Sequence, residues 1–169
     1  MSIKINTKLS INSGTHLPVL MRLLSITDGP ILEVGGGIYS TPFLHWACFS
    51  KKRELVTYDN SPKYFSIIKE YEADFHKTIL VEDWDAMPVD RHWNIVFIDH
   101  APAARRKIDI ARFANCTDYI VVHDTEMKQS PYYRLREIYP LFKYHWKYKG
   151  VNPHTSILSN TINLEDFKI

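Results

Sequence analysis

The sequence has little that would send it outside the cell or into a membrane. Its two cysteines, Cys48 and Cys116, are too few and too far apart for a disulfide framework or a Cys-x-x-Cys pair. A reducing compartment is therefore the expectation. No apolar run approaches the roughly 20 residues that cross a bilayer, and the first ten residues, MSIKINTKLS, lack the apolar centre of a signal peptide. A cytoplasmic protein without a membrane partner is expected, and the glycosylation-like triplet Asn115-Cys116-Thr117 is then a chance match. Neither sign of charge dominates: 21 lysines and arginines against 19 acids leave a net charge of +2, which does not favour nucleic acid as a partner. Repeats, low-complexity tracts and linkers are absent. Glycine is scarce as well, with six in the chain, and three of the six are consecutive in ILEVGGGIYST, residues 31–41.

The 169 residues suggest a single domain over 1–169, long enough to bury a core without metal or disulfide staples. Its elements alternate. Residues 14–26 place Leu17, Leu20, Met21 and Leu24 at helical spacing, and Thr27-Asp28-Gly29-Pro30 stops that helix. ILEV (31–34) reads as a short buried strand. Residues 40–50 read as a helix with Ser40 or Thr41 as its N-cap and Pro42 in its first turn. Strands follow at 54–58, 77–82, 92–99 and 118–124, and helices are expected at 60–75, 102–113 and 130–142. Two extended stretches, 144–150 and 155–160, close the chain as a hairpin around Val151-Asn152-Pro153-His154. Strands separated by helices imply an α/β fold with a doubly wound parallel sheet. The closing hairpin adds strands antiparallel to each other.

Ligands of such sheets bind beyond the carboxyl ends of the strands. That rule singles out Gly35, Gly36 and Gly37, then Asp59, Asp83, Asp99 and Asp124. A triple-glycine turn lets backbone approach a ligand where a Cβ would clash, and the helix that follows offers free N–H groups and a positive dipole end. Asp59 is placed to accept hydrogen bonds from a ribose diol. The arrangement suits a dinucleotide or S-adenosylmethionine. The dinucleotide pattern needs another glycine where this chain has Ser40, which disfavours an NAD-dependent oxidoreductase.

On these residues the chain resembles the class I S-adenosylmethionine-dependent methyltransferases. ILEVGGG is similar to their first motif, TYDNS (57–61) to the second and VEDWDAMP (81–88) to the third; WNIVFIDHAP (93–102) and DYIVVHDTE (118–126) are similar to those at the fourth and fifth strands. The resemblance runs from about residue 14 to residue 162. It implies a mostly parallel, seven-stranded Rossmann-like sheet with an antiparallel C-terminal hairpin. GIYST and HDTE point to the branch that methylates small-molecule or sugar hydroxyls. By the same resemblance Gly35, Gly36 and Gly37 pass under the methionine part of the cofactor, Glu33 organises that loop or reaches the cofactor through water, Asp59 holds the ribose with Asn60 beside the adenine, and Asp83 and Trp84 meet the adenine. The register leaves Asp83 and Asp85 as alternatives.

Methyl transfer to oxygen needs alignment and often a base. Asp99, His100 and His123 are the candidates. In the family's strand order Asp99 and Asp124 become neighbours, and a Mg2+ or Mn2+ ion held between them would orient a vicinal diol. The competing reading is that these acids only cap turns. His16 reads as a surface or core-edge histidine, with a lid over the cofactor as the alternative, and Arg105 and Arg106 as a solvated helix face, with binding of an anionic substrate as the alternative. Tyr132, Tyr133, Tyr139, Phe142, Tyr144 and Trp146 read as packing, with one or two lining the acceptor pocket as the alternative. The expected partner is a small acceptor molecule. A catalytic domain this small often closes its site with a second copy, so a homodimer is one expectation that no sequence feature requires. The alternative from another class is a methyltransferase-like module without catalysis.

Overall fold

A computed structural model describes residues 10–126 and 133–169 of the chain. Seven strands form one sheet: β1 (Ile31–Val34), β2 (Leu55–Asp59), β3 (His76–Leu80), β4 (Trp93–Ile98), β5 (Thr117–His123), β6 (Tyr144–Tyr148) and β7 (Thr155–Ser159). Their order across the sheet is β3-β2-β1-β4-β5-β7-β6. The first five pair in parallel. The strand β7 runs antiparallel to both β5 and β6, as the closing hairpin requires. Among the described residues α1 (Leu17–Ile26) leads into β1, and α2 (Ser40–Phe49), α3 (Pro62–Ile68) and α4 (Arg106–Phe113) lie between successive strands. No helix among the described residues is long and apolar enough to cross a membrane.

The strand sequences alternate between two cores. Leu32, Val34, Val56, Ile98, Ile120 and Val122 face one side, where Ile110 and Phe113 of α4 cover them. Ile31, Leu55, Ile95, Phe97 and Val121 face the other, under Val19, Leu20 and Leu23 of α1 and Leu44 of α2. This two-residue period is what a sheet covered on both faces requires. The chain leaves β1 toward β2 on one side, and β4 leads to β5 on the other. The mouth between the ends of β1 and β4 is therefore the switch point of the sheet.

Three expectations change. The buried stripe of α1 is His16, Val19, Leu20 and Leu23, while Met21 is exposed, so the helix is turned by one residue and a histidine heads its inner face. The helix expected over 60–75 ends at Ile68, followed by a single 3₁₀ turn at Lys69–Tyr71. Of the helix expected over 130–142, Tyr133 is helical; from Arg134, which takes a left-handed conformation, two 3₁₀ turns follow instead, Leu135–Glu137 and Tyr139–Leu141. Pro140 has no N–H to continue an α-helical ladder. The expected entry at Ser130-Pro131, and Tyr132, lie outside the described residues.

Arg53, buried ahead of β2, fastens the base of the sheet. It donates to the carbonyls of Thr27 and Gly29, to the Thr27 hydroxyl and to Oδ1 of Asn94. Removing the guanidinium leaves the buried Thr27 carbonyl and hydroxyl without this donor. Arg53→Met should lower the unfolding free energy by about 2–4 kcal/mol, read as a lower urea midpoint at unchanged slope. An unshifted midpoint would show that the clasp adds nothing.

Candidate active site

Beyond the ends of β1, β2 and β4 lies a cavity of about 430 Å³, within the range of small-ligand and cofactor sites. Gly35, Gly36 and Gly37 form one wall, Asp59 and Asn60 a second, and Asp99, His100 and Arg106 a third, with His16 closing the side toward α1.

The glycine wall is held from beneath by Glu33, which is fully buried in the middle of β1. Its Oε2 accepts from the hydroxyls of Thr41 and Thr57, each at 2.8 Å. Thr41 in turn accepts the amide of Gly37 at 3.0 Å. On the other arm the Thr57 proton is committed to Glu33, so Nε2–H of His76 donates to Thr57, at 2.9 Å. That tautomer leaves Nδ1 of His76 to accept from Nδ1–H of His45 at 3.1 Å. Thr41, expected to cap α2, therefore serves Glu33; Tyr39 occupies the cap position without a side-chain bond. Burial raises the Glu33 pKa from 4.5 to about 7, against the pull of its hydroxyl donors.

Asp59 holds the loop from the second side. Its Oδ2 accepts the amide of Gly36 at 3.0 Å and its Oδ1 that of Ser61 at 2.6 Å. Burial raises its pKa, and these backbone donors oppose the rise. Gly35 has φ +95°, and a Cβ there would lie 2.5 Å from the Cα and N of His100. The loop therefore touches the end of β4 in a way only glycine permits. At Gly37 a Cβ would meet nothing nearer than the Ser40 hydroxyl at 3.4 Å, so this stretch of backbone lies open to the cavity.

The third wall is a charge cluster. Arg106 places Nη2 2.8 Å from Oδ1 of Asp99 and Nη1 3.4 Å from Oδ2 of Asp124, and it also donates to the carbonyls of Asp99 and His100. Tyr133 lies under the guanidinium and donates its hydroxyl to Asp124. Far from being a solvated helix face, Arg106 is 6% exposed. A cation thus already bridges Asp99 and Asp124, and the two carboxylates do not fit a divalent ion between them unless Arg106 leaves.

The other oxygen of Asp99, Oδ2, faces Nδ1 of His123 at 3.2 Å. Nε2 of His123 lies 2.9 Å from the Thr15 hydroxyl, which also has the carbonyls of Pro153 and Asn12 at 2.9 and 3.2 Å. Carbonyls only accept, so the single hydroxyl proton goes to one of them and Nε2 must donate. Nδ1 faces Asp99 and, at 3.6 Å, Asp124. A proton there makes His123 an imidazolium. Burial lowers its pKa, and Asp99 and Asp124 outweigh burial to leave it raised. In that state His123 has no free lone pair with which to act as a base.

His100 is arranged differently. Its Nε2–H donates to the buried Asp109 at 2.9 Å, and Asp109 is also held by Arg105 and Arg112. The ring packs edge-on against Trp84. Its Nδ1 is buried and has no hydrogen-bond partner. Burial lowers its pKa and Asp109 opposes this, so His100 keeps a free lone pair on Nδ1 near neutrality. Trp84 is itself buried and donates to the carbonyl of Ala101, which supports the His100 loop from behind. Asp83 caps the 3₁₀ turn Trp84–Ala86 and Asp85 pairs with Arg105; neither they nor Trp84 line the cavity.

His16, expected as a surface or core-edge histidine with a lid over the cofactor as the alternative, borders the site. It is 1% exposed, lines the cavity and packs against Phe97 and His123. Neither ring nitrogen has a hydrogen-bond partner. Burial lowers its pKa to about 4 despite nearby Asp99, so the ring is neutral. The spacing of His16, Val19, Leu20 and Leu23 carried the signal: a helix whose inner stripe begins with histidine points that imidazole into the protein.

No protein-family model matches the chain, and no curated protein sequence matches it either. Solved structures do. The METTL16 MTase domain superposes with a TM-score of 0.67 at 9% identity, covering 96% of this chain and 73% of that one. The SAH-bound methyltransferase PaMTH1 of Podospora anserina gives 0.65 at 15%, covering 90% and 79%. The human methyltransferase 10 domain containing protein gives 0.63 at 8%, covering 89% and 84%. At these identities the likeness establishes a shared fold: the chain has the Rossmann-like architecture of methyltransferases.

The raised pKa of Glu33 has a definite sign in stability. Between pH 4.5 and about 7 the folded chain holds a proton that the unfolded chain has released, so rising pH costs the wild type stability. Glu33→Gln carries no such term. Relative to the wild type the variant should gain stability from pH 4.5 to 7.5, by up to about 3 kcal/mol, measured by urea unfolding at both pH values. A difference independent of pH would contradict the assignment.

Proposed function

We propose that this protein transfers a methyl group from S-adenosylmethionine to a hydroxyl of a small molecule. The observation that carries the reading is the convergence of the Gly35–Gly37 loop, open at Gly37, the Asp59 carboxylate and the β4 end on one cavity at the switch point of a methyltransferase fold. Bound there, S-adenosylmethionine would supply an electrophilic methyl group. The residues suit it. Gly37 presents unobstructed backbone, and Asp59, its two oxygens already oriented by the amides of Gly36 and Ser61, keeps lone pairs for ribose hydroxyls. Asn60 lies beside it for the base.

The chain's own work at the acceptor end falls to His100 and Asp99. Asp109 fixes the tautomer of His100 and leaves the lone pair on Nδ1; that side chain is fully buried, so Nδ1 takes the acceptor's proton only when binding opens the loop above it. Asp99, held by Arg106 and His123, presents an oriented carboxylate to an acceptor hydroxyl. His123 acts through Asp99 rather than on substrate. Asp83 and Trp84 have no direct part in this reading.

Titration calorimetry with S-adenosylmethionine, S-adenosylhomocysteine and NAD tests the reading. The first two should bind and NAD should not. Asp59→Ala should weaken cofactor binding by about 1–3 kcal/mol, or roughly 5- to 150-fold. Full affinity in that variant, or no binding to the wild type, would contradict the assignment. His100→Asn should lose turnover by at least about 100-fold while cofactor affinity stays near that of the wild type; retained turnover would remove His100 as the base.

A further inference from the structure

We propose that His16, Asp99 and His123 bind one divalent transition-metal ion at the inner side of the cavity. Three separate elements bring them together: His16 heads α1, Asp99 follows β4 and His123 ends β5. One donor atom from each lies within 4.8 Å of the others. The donors of one ion stand about 3–4 Å apart, from metal–nitrogen distances near 2.1 Å. Nδ1 of His123 and Oδ2 of Asp99 already meet this at 3.2 Å. The remaining separations, up to 4.8 Å, require His16 to move toward the other two, and no hydrogen bond restrains that ring.

Three observations select a metal over a mere polar cluster. The first is His16 itself, a fully buried imidazole with both nitrogens unpartnered, which a protein seldom leaves without a ligand. The second is Thr15. It takes Nε2–H of His123 and so aims Nδ1 at the common point, as outer partners of metal-bound histidines do; the ion displaces to solvent the proton that Nδ1 otherwise holds toward Asp99. The third is the division of labour on Asp99: Oδ1 belongs to Arg106 and Oδ2 faces the two histidines. Arg106 opposes the ion's charge, and Asp124, with Oδ1 3.6 Å from the same nitrogen of His123, offsets it.

Two imidazoles and one carboxylate favour manganese, iron, cobalt or zinc over magnesium. Three protein ligands leave coordination positions open, and His16 and Asp99 both border the cavity. An acceptor oxygen would reach the ion there. The site differs from an Asp99–Asp124 pair in ligands and in metal preference, and it stands whether or not the cofactor reading holds.

The test uses untagged, chelator-treated full-length protein titrated with cobalt(II) alone, in the absence of cofactor. One equivalent should bind, with visible ligand-field bands, and paramagnetic NMR shifts should fall on the imidazole protons of His16 and His123. His16→Ala and His123→Ala should each weaken binding by more than 100-fold, and Thr15→Val by 10- to 100-fold. His92→Ala, which alters an exposed histidine, should leave binding unchanged. Circular dichroism checks that each variant folds; where one does not, the paramagnetic shifts in the wild type decide. No stoichiometric cobalt, shifts confined to His92, or equal affinity in the folded His16 and His123 variants would overturn the site.

Discussion

The carboxylate of Glu33, buried in the centre of the sheet, is the constraint on which the cavity depends. A charge there would be too costly without partners, so its neighbours are hydroxyls: Thr41 from α2 and Thr57 from β2. Those two bonds tie three successive elements to one atom. Thr41 passes the restraint to the amide of Gly37, and Asp59 applies a second one to Gly36. Three consecutive glycines would otherwise be the most mobile stretch of the chain. Here they are fixed from below and from the side, with their open face toward the cavity. The conformational entropy of ordering the loop is spent on folding and need not be spent again on binding.

The opposite wall is organised by charge. Asp99, Asp124, Arg106 and His123 alternate in sign, and each charge contacts a partner of opposite sign. Burial alone would raise the pKa of Asp99; His123 and Arg106 reverse this and hold it below the usual carboxylate range. The carboxylate that faces the cavity is thus ionised and oriented. His100 stands beside this cluster but belongs to another, built on Asp109. Two histidines at neighbouring strand ends are given opposite characters in this way. One is a donor on both nitrogens, and the other keeps a lone pair.

Much of the frame was legible in the sequence because the signals were local. The limits of β1 follow from an apolar run between Pro30 and Gly35. The alternation of the strands between two cores follows from their two-residue period, and the closing hairpin from the turn around Pro153. The glycine loop and Asp59 were legible by position alone, each falling just beyond a strand. What escaped depended on tertiary contact. Arg106 reads as one charge on an amphipathic helix, and only the fold brings Asp124 to its other side. His16 is a lone polar residue until the turn of α1 is known, and that turn lies one position from the one the apolar spacing suggests. Asp83 sits near a strand end in sequence, yet the strand stops at Leu80 and the acid falls on an outer turn.

The central claim is that the restrained Gly35–Gly37 loop is a cofactor seat. An amide-resolved NMR titration with S-adenosylhomocysteine tests it most directly. The account predicts saturable shifts concentrated on the amides of Gly36, Gly37 and Asn60, with β6 and β7 unmoved. A folded spectrum in which those three amides stay in place would contradict it, and would leave the loop as a tight turn between β1 and α2.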